Sequence, residues 1–137
     1  MAGYSSTPLW KKLGYKPGMG ALAVNEPESY RAALGLPAAV SVTWLAALKA
    51  DAAFVHYFAT RRSELKASLR VYRKKLAPDG VLWISWPKQS SGVATDITED
   101  TIRAEALPLG FVDIKVCAVD EVWSGLKLVI RKELRQG

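Results

Sequence analysis

Two short stretches, "AAFVHYFAT" (residues 52–60) and "VLWISW" (81–86), are apolar almost without interruption. A strand with one wet face alternates apolar and polar residues. Continuous runs of this length, rich in aromatic and β-branched side chains, predict strands buried on both faces. Burial on both faces needs a layer on each side, which here means helices packed over a largely parallel sheet.

The rest of the chain can be read around these two strands. "GALAVN" (20–25) and "AVSVTWL" (39–45) predict strands on either side of a brief helix, "EPESYRAALG" (26–35). In that helix Pro27 suits the first turn, Glu28 the positive end and Gly35 the close. Leu65, Leu69, Tyr72 and Leu76 recur at helical spacing and predict a helix over 63–77, capped by Ser63 and ended by an "APDG" turn. Thr98 is the expected N-cap of a further helix, with Ile97 stapled to Ile102 and Gly110 as its stop. "FVDIKVCAV" (111–119) and "LKLVIRKEL" (126–134) predict a closing strand pair joined at "DEVWSG". The expected fold is α/β, a Rossmann-like and mostly parallel sheet with helices on both faces and a C-terminal antiparallel strand. It should form one domain over residues 1–137, with 1–18 irregular or short-helical.

Composition bounds the function classes. No apolar run approaches the ~20 residues of a membrane span, and the N-terminus lacks the apolar region of a signal peptide. The expected location is the cytoplasm. Cys117 is the lone cysteine and His56 the lone histidine, so neither a disulfide framework nor a cysteine or histidine metal site is expected. Both sit in mid-strand, where an inert thiol and a core imidazole are the default. No GxSxG elbow is present and no histidine lies near a serine in sequence, which sets a Ser–His–Asp hydrolase aside.

The net charge of +6 invites a nucleic-acid reading through the helix bearing Arg62, Lys66, Arg70 and Lys74. A solvated helix face explains that spacing without a ligand, so nucleic acid is a secondary alternative.

The segment "LAPDGVLWISW", followed by a helix, "LGFVDIKV" and a closing strand, resembles the C-terminal half of class I methyltransferases, over roughly residues 52 to 132. In that family a turn of this kind leads into the fifth strand, and the last strand is antiparallel. Three further motifs, "YSSTPLWKKLGYKPGM", "WPKQSSGVATDITED" and "VCAVDEVWSGLKLVIRK", resemble the bacterial domain-of-unknown-function family 3052 along nearly the whole chain. That resemblance implies a methyltransferase-like fold and no particular activity.

A dinucleotide or methyltransferase site ordinarily needs glycines after the first strand and an acid after the second. Here Gly18 and Gly20 come before the "ALAVN" of the first strand, Asn25-Glu26-Pro27-Glu28 ends it without a glycine, and Thr43-Trp44-Leu45 ends the second without a carboxylate. No standard S-adenosylmethionine or NAD site, and hence no cofactor, is expected. The expected ligand rim lies at the carboxyl ends of the strands: Arg61, then Trp86, Lys88, Ser90, Ser91 and Asp96, then Asp120, Trp123 and Ser124. Asn25, Glu26, Thr60, Arg62 and Glu121 belong to the same rim. Each has a structural alternative: the tryptophans can cap the core, Lys88 can pair with Asp96 or Asp120, and Gly125 can serve the hairpin. The sequence-based expectation is a non-catalytic module that binds an anionic small molecule or a protein partner, with an oligomer possible. A divergent S-adenosylmethionine-dependent methyltransferase is the alternative.

Overall fold

The computed structural model describes residues 7–135; the start of the expected irregular N-terminal segment lies outside them. The elements run α1 (Leu9–Leu13), β1 (Gly20–Val24), α2 (Tyr30–Leu34), β2 (Thr43–Trp44), β3 (Ala52–Phe58), α3 (Arg62–Lys75), β4 (Leu76–Pro87), α4 (Glu99–Ala106), β5 (Phe111–Ala118) and β6 (Trp123–Ile130). The strands form one six-stranded sheet in the order β2-β1-β3-β4-β6-β5. The pairs among β2, β1, β3 and β4 are parallel, and β6 is antiparallel to both β4 and β5.

The two apolar runs form the central pair, β3 and β4, and their side chains divide between the faces with the two-residue period of a strand. Phe54, Phe58 and Trp83 point to the side covered by α1 and α2, where they pack with Leu13, Tyr15, Tyr30 and Leu34. Val55, Tyr57, Leu82, Ile84 and Trp86 point to the other side, against Leu65, Leu69 and Tyr72 of α3 and Ile102 and Ala106 of α4. The predicted helix stripe is thus the face of α3 that packs on the sheet.

Several boundaries differ from expectation. The second strand shrinks to Thr43–Trp44 because a turn from Pro37 to Val40 consumes its first half. The brief helix starts only at Tyr30, since Pro27 to Tyr30 forms a turn. Ser63 lies inside α3 and does not cap it; the first helical N–H, on Arg62, donates to Asp96 Oδ1 at 2.6 Å from across the rim. "APDG" is a bulge within β4, where pairing jumps from Ala52–Leu76 to Phe54–Val81. The Thr98 cap forms as expected: its hydroxyl accepts from the Thr101 N–H, and the Thr101 hydroxyl accepts from the Thr98 N–H. Ile97 and Ile102 are both buried in the same core.

Gly125 does not serve the hairpin turn. It lies inside β6, opposite Ser85 and Cys117, where an added Cβ would sit 3.1 Å from Trp83 Cε3 and 3.3 Å from Val119 Cγ2. The missing side chain makes room for the indole that fills the core. Gly125→Ala is therefore expected to destabilise the fold by about 1–3 kcal/mol, read as a lower urea midpoint with an unchanged m-value. An unchanged midpoint would mean that Trp83 has slack to move.

Candidate functional site

The predicted rim residues fall into two groups. Lys88 is tied to the β5–β6 connection: its Nζ donates to the Asp120 carbonyl at 2.7 Å and its N–H to the Val122 carbonyl. The Asp120 carboxylate accepts from the Val122 and Trp123 N–H groups, so Lys88 meets its backbone and not its charge. Trp123 packs edge-to-face on Phe58, on the α1/α2 side. Trp86 is 8 % exposed and lies in the α3/α4 core, across from Ser124. The sheet separates the two tryptophans, so they do not wall one slot.

Ser91 donates to the Lys88 carbonyl and accepts from the Val93 N–H, shaping the turn that also carries the exposed Ser90. The second group surrounds the start of α3. Thr60, Arg61, Ala94, Thr95 and Asp96 line a shallow cavity of about 360 Å³. Within it Asp96 is occupied in capping α3, and Arg61 pairs loosely with Glu64 at 3.7 Å.

A larger concavity was not foreseen. β1 connects outward to β2, and the chain then crosses back over β1 to reach β3, so the order of the sheet reverses between β1 and β3. Crevices at such reversals are the usual ligand positions of open α/β sheets. Parallel crossovers ordinarily take a dozen or more residues and a helix, but this one occupies only residues 45–51 and has no helix. The α3 side of β1 is left with a groove of about 450 Å³, lined by Leu22, Val24 and Asn25, by Leu48 of the crossover, and by Ser68, Val71 and Tyr72 of α3. Asn25, at its mouth, adopts a left-handed backbone with φ 59°. Asparagine is among the few residues that tolerate this. It supplies the turn geometry that a glycine would otherwise give. The sequence signal for this groove was the seven-residue gap between two parallel strands.

The imidazole of His56 corrects a second expectation. Its Nε2 lies 2.6 Å from Ser85 Oγ, so a histidine does meet a serine in space. Its Nδ1 lies 2.7 Å from the Tyr30 hydroxyl, which lies 2.7 Å from that of Tyr15. His56 and Ser85 are both fully buried. The chain ends in phenols and contains no carboxylate, so it lacks the group that would stabilise an imidazolium. Burial pushes the imidazole down from 6.5 to about 3 and the phenols of Tyr15 and Tyr30 well above their ordinary value. Every member is therefore neutral, and the arrangement holds elements together. Burial likewise raises the Cys117 thiol against the pull of Lys115 and Lys12.

No helix among the described residues is long and apolar enough to cross a membrane. They contain no group of three or more histidine, cysteine, aspartate or glutamate residues that could hold a metal ion. No protein-family model matches the chain, and no curated protein matches it. Solved structures do match in fold. A SAM dependent methyltransferase from Aquifex aeolicus superposes with a TM-score of 0.59 at 18% identity, covering 88% of this chain and 86% of that one. Magnesium protoporphyrin IX methyltransferase from Synechocystis PCC 6803 with bound SAM gives 0.57 at 12%, covering 89% and 74%. Aeropyrum pernix fibrillarin with natively bound S-adenosyl-L-methionine gives 0.54 at 12%, covering 84% and 68%.

The fold is that of the class I methyltransferases. This overturns the expectation of a non-catalytic binding module: these three chains are named as methyltransferases or carry S-adenosylmethionine. They favour the alternative.

The depressed imidazole has a consequence for acid stability. The unfolded chain takes up a proton near pH 6.5, whereas the folded chain does so only near 3. Stability from this group is complete above 6.5 and falls as the pH drops through that window. The urea midpoint of the wild type is expected to decline between pH 6.5 and about 4.5, while that of His56→Gln, lower at neutral pH, stays flat there. Parallel declines would assign the acid loss to carboxylates. Because the variant is destabilised, the imidazole C–H resonance of the wild type provides a second readout: it should not titrate between about pH 8 and 5.

Proposed function

We propose that this chain is a divergent S-adenosylmethionine-dependent methyltransferase that holds the adenosine portion of its cofactor in the groove beside β1. The observation that carries this reading is the coincidence of the groove with the strand-order reversal, in a fold shared with proteins that carry this cofactor. The lining suits a nucleoside. Leu22, Val24, Leu48 and Tyr72 offer apolar walls that exclude water from a heterocycle, and the volume lies within the roughly 300–1,000 Å³ of small-molecule sites. The Asn25 amide brings both a donor and an acceptor to the mouth, and Ser68 adds a hydroxyl. When bound, S-adenosylmethionine supplies an electrophilic methyl group on a sulfonium sulfur. Glu26 is held by Arg31 at 3.3 Å, and the Arg31 guanidinium stacks over Trp44.

The rim that carries Arg61, Ser90 and Ser91 lies at the same carboxyl ends of the sheet. We infer that it is the approach for an anionic methyl acceptor, with the guanidinium of Arg61 as its countercharge. Support for membership in the bacterial family 3052 comes from the three sequence motifs, and support for a cytoplasmic location from the lone cysteine.

Titration calorimetry with S-adenosylmethionine and S-adenosylhomocysteine tests the reading. Saturable binding is expected, and Val71→Trp should weaken it by about tenfold or more by filling the groove. Val71 is 48 % exposed, so the variant should melt like the wild type. No binding heat at millimolar cofactor would overturn the proposal, and undiminished binding by Val71→Trp would move the site elsewhere.

A further inference from the structure

The ion pairs of the described residues are all made by arginines. The lysines make none, and several of them gather on the α1 side of the sheet, opposite to the groove beside β1. Lys127 projects from β6 directly across from Lys115 on β5. Lys16, in the turn after α1, lines a cavity of about 250 Å³ together with Lys127, Leu13, Met19, Phe54 and Asp79. The positive charges of Lys115 and Lys16 both bear on Lys127, and those of Lys12 and Lys115 on Cys117. Lys12 and Lys115 thus extend the positive field along the same face.

This placement carries a cost. Like charges directly opposite on neighbouring strands destabilise a sheet. Lysines are common on edge strands, where they deter pairing with other chains, and that accounts for Lys115. It does not account for Lys127, because β6 is an interior strand, paired on one side with β4 and on the other with β5. Lys127 is also half-buried, and desolvation together with the neighbouring lysines lowers its ammonium below the ordinary value. Asp79 is the only acid lining the cavity, and no carboxylate lies within ion-pairing distance of Lys16 or Lys127 among the described residues. A multiply charged anion between them would offset both the repulsion and the desolvation.

We propose that the cavity between Lys16 and Lys127 is a binding site for a phosphate-class anion, with Lys12 and Lys115 as its outer field. Lysine ammoniums act as compact point charges with freely rotating donors, which suits clustered phosphate oxygens. The anion can be a free polyphosphate or the phosphates of a nucleotide, and the two sources differ in whether an attached nucleoside changes affinity. The site lies on the other face of the sheet from the proposed cofactor groove, so its occupancy is independent of that reading.

The test is calorimetric titration of the whole protein with inorganic pyrophosphate and, separately, with ADP at low salt. Lys127→Met, Lys16→Ala and a control of equal charge change, Lys66→Ala on α3, are compared with the wild type. Pyrophosphate is expected to bind saturably, to weaken about tenfold or more in Lys127→Met and Lys16→Ala, and to be unaffected by Lys66→Ala. ADP binding tighter than pyrophosphate would identify a nucleotide as the ligand; equal binding would identify a free phosphate group. Without anion, Lys127→Met should raise the urea midpoint by relieving the repulsion, and pyrophosphate should raise it in the wild type and Lys66→Ala but not in Lys127→Met. Absence of saturable binding to either ligand, or equal weakening by Lys66→Ala, would overturn the site.

Discussion

The buried hydrogen-bond chain through His56 decides how the N-terminal layer attaches to the sheet. α1 and α2 are five residues each, far below the length at which a helix holds itself in water. Their position comes from tertiary contacts. Tyr15, Tyr30, His56 and Ser85 link the turn after α1, then α2, then β3 and β4, and every polar atom in that chain has a partner. The Trp83 indole adds a hydrogen bond to the Leu13 carbonyl at the end of α1. Because buried polar groups are costly when unpaired, displacement of either short helix would strand several of them at once. The neutral state of His56 is part of this: a charged imidazole would donate to both hydroxyls but would place a buried charge in this layer with no carboxylate to meet it.

The other face is organised differently. There α3 and α4 are longer, and ion pairs connect the elements: Arg62 of α3 with Glu105 of α4 at 2.7 Å, and Arg103 of α4 with Asp113 of β5 at 2.9 Å. Arg103 holds the Asp113 carboxyl below its ordinary range. The α3/α4 layer covers β3, β4, β6 and Leu22 of β1 but leaves Val24 only partly buried, because the short crossover contributes no helix. The groove is therefore a consequence of chain length between β2 and β3. One economy in the backbone both shortens the protein and opens the crevice.

The legible parts of the sequence were those decided locally or by one long apolar run. β3 and β4 could be read from continuous hydrophobicity, the packed face of α3 from its spacing, and α4 from Thr98 with the acids that follow it. The parts that failed depend on residues far apart in the chain. The cap of α3 comes from Asp96, 34 positions away, so Ser63 was the only candidate visible nearby. The His56–Ser85 contact spans 29 positions and exists only because the parallel register sets Phe58 opposite Ser85. Trp86 and Trp123 both sit at the predicted rim, yet the antiparallel register pairs Trp123 with Pro87, and the one-residue offset sends the two indoles to opposite faces.

The turn after β1 shows why a missing motif is weaker evidence than it looks. Glycines at that position do two separable things: they permit a positive φ, and they let a ligand approach the backbone with no Cβ in the way. Asn25 performs the first, since its φ of 59° is the left-handed geometry a glycine would take. It cannot perform the second. A cofactor held here must stand off from the β1 turn by the width of a side chain and find its contacts along the walls of the groove, from Val24 and Leu48 to Ser68 and Tyr72. The walls of the groove, left uncovered by the short crossover, would then have to make up for the lost close approach at its mouth.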